Sequence, residues 1–168
     1  MEAEKQPMRE VSGALAPVAM AALQESGFVV LAGPYPVERL GAVADAYDAE
    51  ACAAIGDDIR MGSTSTRVVD FVNRGPLFDP LYVYPPLLDA AARIVGPSFK
   101  LSSLNARTLR PESAVLDIHV DVERDSTEWP LLGFILMIDA FTPDNGVTRF
   151  IPGSHHWGDP PRDGRIQR

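Results

Sequence analysis

The order of textures along the chain constrains its fold most: helix-like periodicity fills the first part, and from residue 99 onward the pattern turns strand-like. Val37, Leu40, Val43, Ala44, Tyr47 and Ala51 recur at spacings of three and four. Residues 36–54 therefore read as an amphipathic helix opening on Pro36, where a missing N–H costs nothing. Residues 14–25 read as an earlier helix, with Pro17 in its first turn and Gly27 placed as its C-terminal cap. A third helix, 86–95, stops at Gly96-Pro97 because proline cannot continue it. Strands are expected at 28–31, 68–72, 99–109, 114–119, 131–141 and 147–151, with the Gly-, Ser- and Thr-rich stretch 56–67 as a loop. Thr142-Pro143-Asp144-Asn145-Gly146 lies between two apolar runs and reads as a hairpin turn, since proline presets one turn dihedral and glycine accepts a positive one. Helices followed by antiparallel strands point to an α+β or mainly β domain with helices packed on the sheet.

A chain of 168 residues supports one domain with its own core, so 1–168 is read as a single domain, with 1–12 expected to be disordered and 158–168 a loop. A formal charge of -8 and basic residues scattered along the sequence argue against a nucleic-acid partner. Cys52 is the only cysteine, which leaves no disulfide framework and no thiolate cluster for zinc, and fits a reducing cytoplasm. Residues 1–12 carry Glu2, Glu4, Arg9 and Glu10 without an apolar core, so no signal peptide is expected. The longest apolar run, 131–138, is far below the ~20 residues of a membrane helix, so no membrane partner is expected.

His119-Val120-Asp121 falls at the end of an expected strand, where alternation puts residues i and i+2 on one face. An imidazole and a carboxylate then share one space. They make two thirds of the two-histidine, one-carboxylate triad that holds iron(II) on one side and leaves positions open for a bidentate oxo acid and dioxygen. Alone the motif is weak, because His-x-Asp arises by chance in a chain with this many aspartates, and a surface His beside an Asp is the plain alternative.

The segments downstream of His119 carry more information. Gly133-Phe134-Ile135-Leu136-Met137-Ile138-Asp139-Ala140-Phe141, then Pro143-Asp144-Asn145-Gly146, then Arg149-Phe150-Ile151-Pro152-Gly153-Ser154-His155 occur in order. Together with Gly27-Phe28-Val29-Val30-Leu31 and Pro36-Val37-Glu38-Arg39, this series resembles the phytanoyl-CoA dioxygenase family over about residues 25–157. The resemblance implies a double-stranded β-helix of the jelly-roll, cupin-like kind with N-terminal helices packed on the sheet. It implies iron(II) held by His119 and Asp121, 2-oxoglutarate as cosubstrate, ascorbate as accessory reductant and a small-molecule substrate. Decarboxylation of the oxo acid would accompany hydroxylation of an unactivated C–H bond. Asn105 and Ile135 fall near family positions that touch the cosubstrate; as ordinary strand residues, Ile135 would be core. Halogenating relatives lack the carboxylate, and Asp121 is present, which favours hydroxylation.

The same resemblance places a second iron-binding histidine, and an arginine for the distal carboxylate of the oxo acid, beyond Pro152-Gly153-Ser154-His155, so the sequence is expected to lack both and to hold an incomplete β-helix. His155 is then a neighbour of the site and not the distal ligand. Such a piece would leave open strand edges and an uncovered apolar face, and self-association through those edges is expected. Two other readings remain open: a self-contained metal enzyme using His119, Asp121 and His155 or His156 with Arg165 or Arg168 clamping a carboxylate, and a non-catalytic β-fold interaction module or degenerate remnant.

Overall fold

The computed structural model describes residues 13–112, 118, 119, 121 and 131–157. The expected disordered segment 1–12, the tail 158–168 with Arg165 and Arg168, and most of the expected strand 114–119 lie outside the described residues.

Helix α1, Pro17–Ser26, begins on a proline and ends where Gly27 turns into the left-handed region at φ 82 and donates its N–H to Leu23. Leu15, Met20 and Ala90 are buried together, with Leu23, Ile94 and Leu132 packed around them. The Leu15 N–H donates to the Asp89 carboxylate at 3.0 Å, which joins the entry of α1 to a later helix. Residues 28–31 form no strand; Phe28 instead stacks on Phe150 with ring centroids 5.1 Å apart.

Helix α2, Val37–Ala53, follows Pro36 and carries Glu38 in its first turn, where a negative charge suits the helix dipole. Its apolar stripe is buried from the middle onward, while Val37 at its start is exposed at 77%. Val43 is fully buried, and Ala46, Tyr47 and Ala51 pack around the main core.

The stretch expected to be a loop contains a hairpin instead. Strands β1, Ile59–Met61, and β2, Ser65–Val68, pair antiparallel, and β2 pairs antiparallel with β3, Ala106–Leu109, in the order β1-β2-β3. The reason is local alternation: Ile59 and Val68 oppose each other and face inward, while Gly62-Ser63-Thr64 makes the turn, with the Gly62 N–H bonded to the Ser65 carbonyl. The expected strand 68–72 stops after Val68 because Asp70 takes φ 65, and Phe71–Asn73 then winds one 3₁₀ turn. Of the expected strand 99–109, only the end forms β3.

The short helix α3, Asp79–Tyr82, was not marked by periodicity; α4, Pro85–Ile94, lies within one residue of expectation. Val43, Val68, Phe71, Phe78, Leu81 and Leu104 form the main core. Phe71 meets Phe78 edge-on at 4.8 Å, a geometry that contributes about 0.5–1.5 kcal/mol beyond area burial. Arg74 closes the rim of this core: its Nε donates to the Val69 carbonyl at 2.8 Å, and its two terminal nitrogens meet Glu50 at 3.0 Å and Asp58 at 3.2 Å.

Residues 131–141 and 147–151 form no strand. In the first of them Leu132, Leu136 and Ile138 pack inward while Leu131, Ile135 and Met137 are exposed, an alternation that Phe134, also exposed, interrupts. The segment is extended in its burial yet joins no ladder. The turn between the two segments does form. Asn145 holds it, accepting the Thr142 N–H at 2.8 Å and donating to the Ala140 carbonyl at 2.7 Å. Among the described residues the architecture is thus helices on one three-stranded antiparallel sheet, and no helix is long and apolar enough to cross a membrane.

Candidate functional site

His119 and Asp121 lie in irregular chain, neither on a helix. The His119 Nε2 is 3.7 Å from the Asp121 Oδ1, and both side chains are well exposed, at 62% and 84%. Two donors each ~2.1 Å from one metal ion can be no more than ~4.2 Å apart. At 3.7 Å the pair lies inside that limit, so one cation can contact both, though wider apart than the ~3.0 Å of donors at neighbouring octahedral positions.

Asn105 immediately precedes β3 and is exposed. It lines an open groove of about 430 Å³ together with Asp70, Asn73, Ser102 and Ser103. Behind it lies a small apolar cavity of about 40 Å³ walled by Tyr47, Phe71, Leu104 and Ile138, so Asn105 stands between a polar groove and the core. The groove exists because the chain reverses at the left-handed Asp70 and again in the 3₁₀ turn after it, where Asn73 Nδ2 braces both oxygens of Asp70 at 2.9 and 3.0 Å. Asp70 and Asn73 were not singled out by the sequence; an Asp three residues before an Asn is the only signal there. Ile135 is 56% exposed, which removes it from the core position its hydrophobicity proposed.

His155 has a different setting. Its Nε2 lies 2.9 Å from the Gln24 carbonyl, and because a carbonyl only accepts, Nε2 carries the proton and donates. The ring lies beside that of His156, centroids 3.8 Å apart and planes tilted by 40°. It also covers Gly27 so closely that a Cβ there would come within 2.9 Å of the His155 Cγ. One turn of 3₁₀ helix, Ser154–His156, presents it, anchored by the Gly153 N–H on the Ser26 carbonyl at 2.9 Å. Among the described residues, no three His, Cys, Asp or Glu side chains come together as a metal-holding group, so neither His155 nor His156 joins His119 and Asp121.

No solved structure matches. A stretch of 54 residues is 35% identical to dioxygenase aneA of Aspergillus aculeatus; it covers 32% of this chain and 18% of that protein, so the match spans less than a fifth of the relative. The family profile described as phytanoyl-CoA dioxygenase matches residues 23–168, well over half of the sequence. His119, Asp121 and the Pro152–His155 segment all lie within it, and the chain belongs to the phytanoyl-CoA dioxygenase family.

Proposed function

We propose that this chain carries the His-x-Asp half of the metal centre of an iron(II)- and 2-oxoglutarate-dependent dioxygenase that hydroxylates an unactivated C–H bond of a small organic substrate. The convergence of His119 Nε2 and Asp121 Oδ1 to 3.7 Å, inside the matched family region, is the observation that supports it. Bound there, iron would supply dioxygen activation coupled to decarboxylation of the oxo acid, with ascorbate keeping the metal reduced. The chain's own contribution is orientation: the two-residue spacing brings a neutral nitrogen donor and an anionic oxygen donor to one side of the ion and leaves its other side to cosubstrate. Asn105, at the mouth of the groove, is assigned to the cosubstrate as a hydrogen-bond partner; Ile135, exposed, is assigned as an apolar contact. One domain of the double-stranded β-helix kind is assigned from the family alone, since 131–141 and 147–151 join no ladder, and the exposed thiol of Cys52 suits a cytoplasmic setting.

Iron(II) titration under anaerobic conditions tests this reading. His119→Ala and Asp121→Ala should each weaken binding by more than the roughly 10–100-fold that accompanies loss of an outer-shell partner. His155→Ala should leave affinity nearly unchanged. A large loss with His155→Ala and none with His119→Ala would refute the assignment and favour the self-contained site. No iron(II) binding by any form would favour a non-catalytic module.

A further inference from the structure

Arginines that are scattered in the sequence are gathered by the fold. The register of the sheet sets Arg60 opposite Arg67 and Arg67 opposite Arg107, one on each of three neighbouring strands. Ile59, Val68 and Ala106 belong to the core side, so the pleat sends the three arginines to the other face, where all are exposed. The Arg107 Nε donates to the Ser65 hydroxyl at 3.1 Å, which steadies the guanidinium while its terminal nitrogens remain for another acceptor. Arg110, one residue past β3, borders the row with Nη1 on the Gly62 carbonyl at 3.0 Å.

Ion pairs among the described residues involve Arg74, Arg93 and His119, and none involves these four arginines. Asp58, the nearest carboxylate before β1, is held by Arg74 at 3.2 Å. Like charges directly opposite on adjacent strands weaken a sheet. A chain with a net charge of -8 has carboxylates to spare for neutralising such a row, yet the row keeps three cations in line. Positions that oppose stability in this way mark function more often than packing.

We propose that the Arg60, Arg67 and Arg107 row is a binding face for a soluble oligophosphate, the di- or triphosphate part of a small molecule. Guanidinium forks match phosphate oxygens bidentately and are always charged. The row spans two interstrand spacings, about 10 Å in all, so one phosphate engages neighbouring forks while a chain of two or three covers the row. The overall acidity selects the size of the anion. A bilayer or a long polynucleotide would meet the repulsion of the whole surface, whereas a compact ligand within the ~8 Å screening length feels mainly the arginines.

Sodium tripolyphosphate added to the 168-residue chain, with calorimetry and amide shifts of the three strands as readouts, tests the proposal. Expected are saturable binding centred on the strands, a loss of roughly tenfold or more with Arg67→Gln, and steep weakening between about 50 and about 200 mM salt. The triple variant Arg60→Gln/Arg67→Gln/Arg107→Gln should lose binding, and the double variant Arg60→Gln/Arg67→Gln, which keeps the Arg107 bond to Ser65, should melt no lower than the parent, since it relieves like-charge pairs. Binding that survives the triple substitution would overturn the proposal, as would a fall in the melting temperature of the double variant, which would make the row structural. Orthophosphate binding as tightly as tripolyphosphate would overturn the oligophosphate assignment, and so would binding only to phosphatidylglycerol vesicles.

Discussion

Replacing Gly27 with alanine probes the contact between the first helix and the segment that carries His155. Gly27 sits at φ 82, where a Cβ costs about 1–2 kcal/mol. The new methyl would also press within 2.9 Å of the His155 Cγ and push the ring from its place. The Nε2 bond to the Gln24 carbonyl would go with it, at a cost of roughly 1 kcal/mol. Gly27→Ala should therefore destabilise by about 2–3 kcal/mol, or about 4–12 °C in melting temperature for a chain of this size. His155→Ala alone should cost about 1 kcal/mol. In the double variant the collision has no partner, so the combined loss should fall short of the sum by about 1 kcal/mol. Urea unfolding monitored by tryptophan fluorescence measures all four corners of the cycle. Additivity within about 0.5 kcal/mol would show that the ring and the glycine do not meet, and the account of His155 as a structural clasp would fail.

Arg74→Ala should cost about 2–4 kcal/mol, most of it from the charged bond to the Val69 carbonyl and less from the partly exposed pairs with Glu50 and Asp58, and Arg74→Lys should recover only part of it; equal unfolding midpoints for Lys and Arg would contradict the forked geometry. Burial raises the phenol pKa of Tyr35, with Arg39 opposing and Asp79 adding; burial alone raises that of Tyr84, and the hydrogen bond to Asp79 leads the rise at Tyr82. The folded state thus holds these protons more tightly than the unfolded chain, so the stability they contribute is whole below about pH 10 and is lost as pH rises through the higher folded values. A stability flat across that range, with ordinary phenol titration in ultraviolet difference spectra, would refute it. Self-association is expected because Phe134, Ile135, Met137, Phe141 and Phe150 are exposed. Sedimentation velocity should show species heavier than the monomer that grow with concentration, and a strict monomer throughout would count against it.

Helices were legible because their signals are short-range. Pro36 and the stripe from Val37 to Ala51 give α2 within a residue at each end, and Pro85–Ile94 was readable from its proline start and Gly96-Pro97 stop. The hairpin of β1 and β2 was hidden because Gly62, Ser63, Thr64 and Ser65 dominate its composition, although the alternation of Ile59, Arg60 and Met61 with Thr66, Arg67 and Val68 was present. Residues 131–141 were expected to form a strand from their apolar run, and no strand forms there, because a ladder depends on partners that composition does not name. His119 and Asp121 were expected to share a face through strand alternation; they lie 3.7 Å apart, yet neither residue is in a strand. Asp70 was not, because its left-handed backbone answers to the 3₁₀ turn and to Leu104, whose carbonyl takes the Phe71 N–H from far along the chain. Nor could any local pattern reveal that His155 bonds the carbonyl of Gln24.

That last bond has a temporal side. During synthesis Gln24 leaves the ribosome first, and its partner emerges 131 residues later. At about 5–20 residues per second, this interval lasts ~7–26 s. Throughout it the nascent first helix has an unfilled docking place, and Phe28 waits for Phe150. A chaperone that recognises exposed apolar surface would have that interval to act on this helix, and translation pauses before residue 150 would lengthen it.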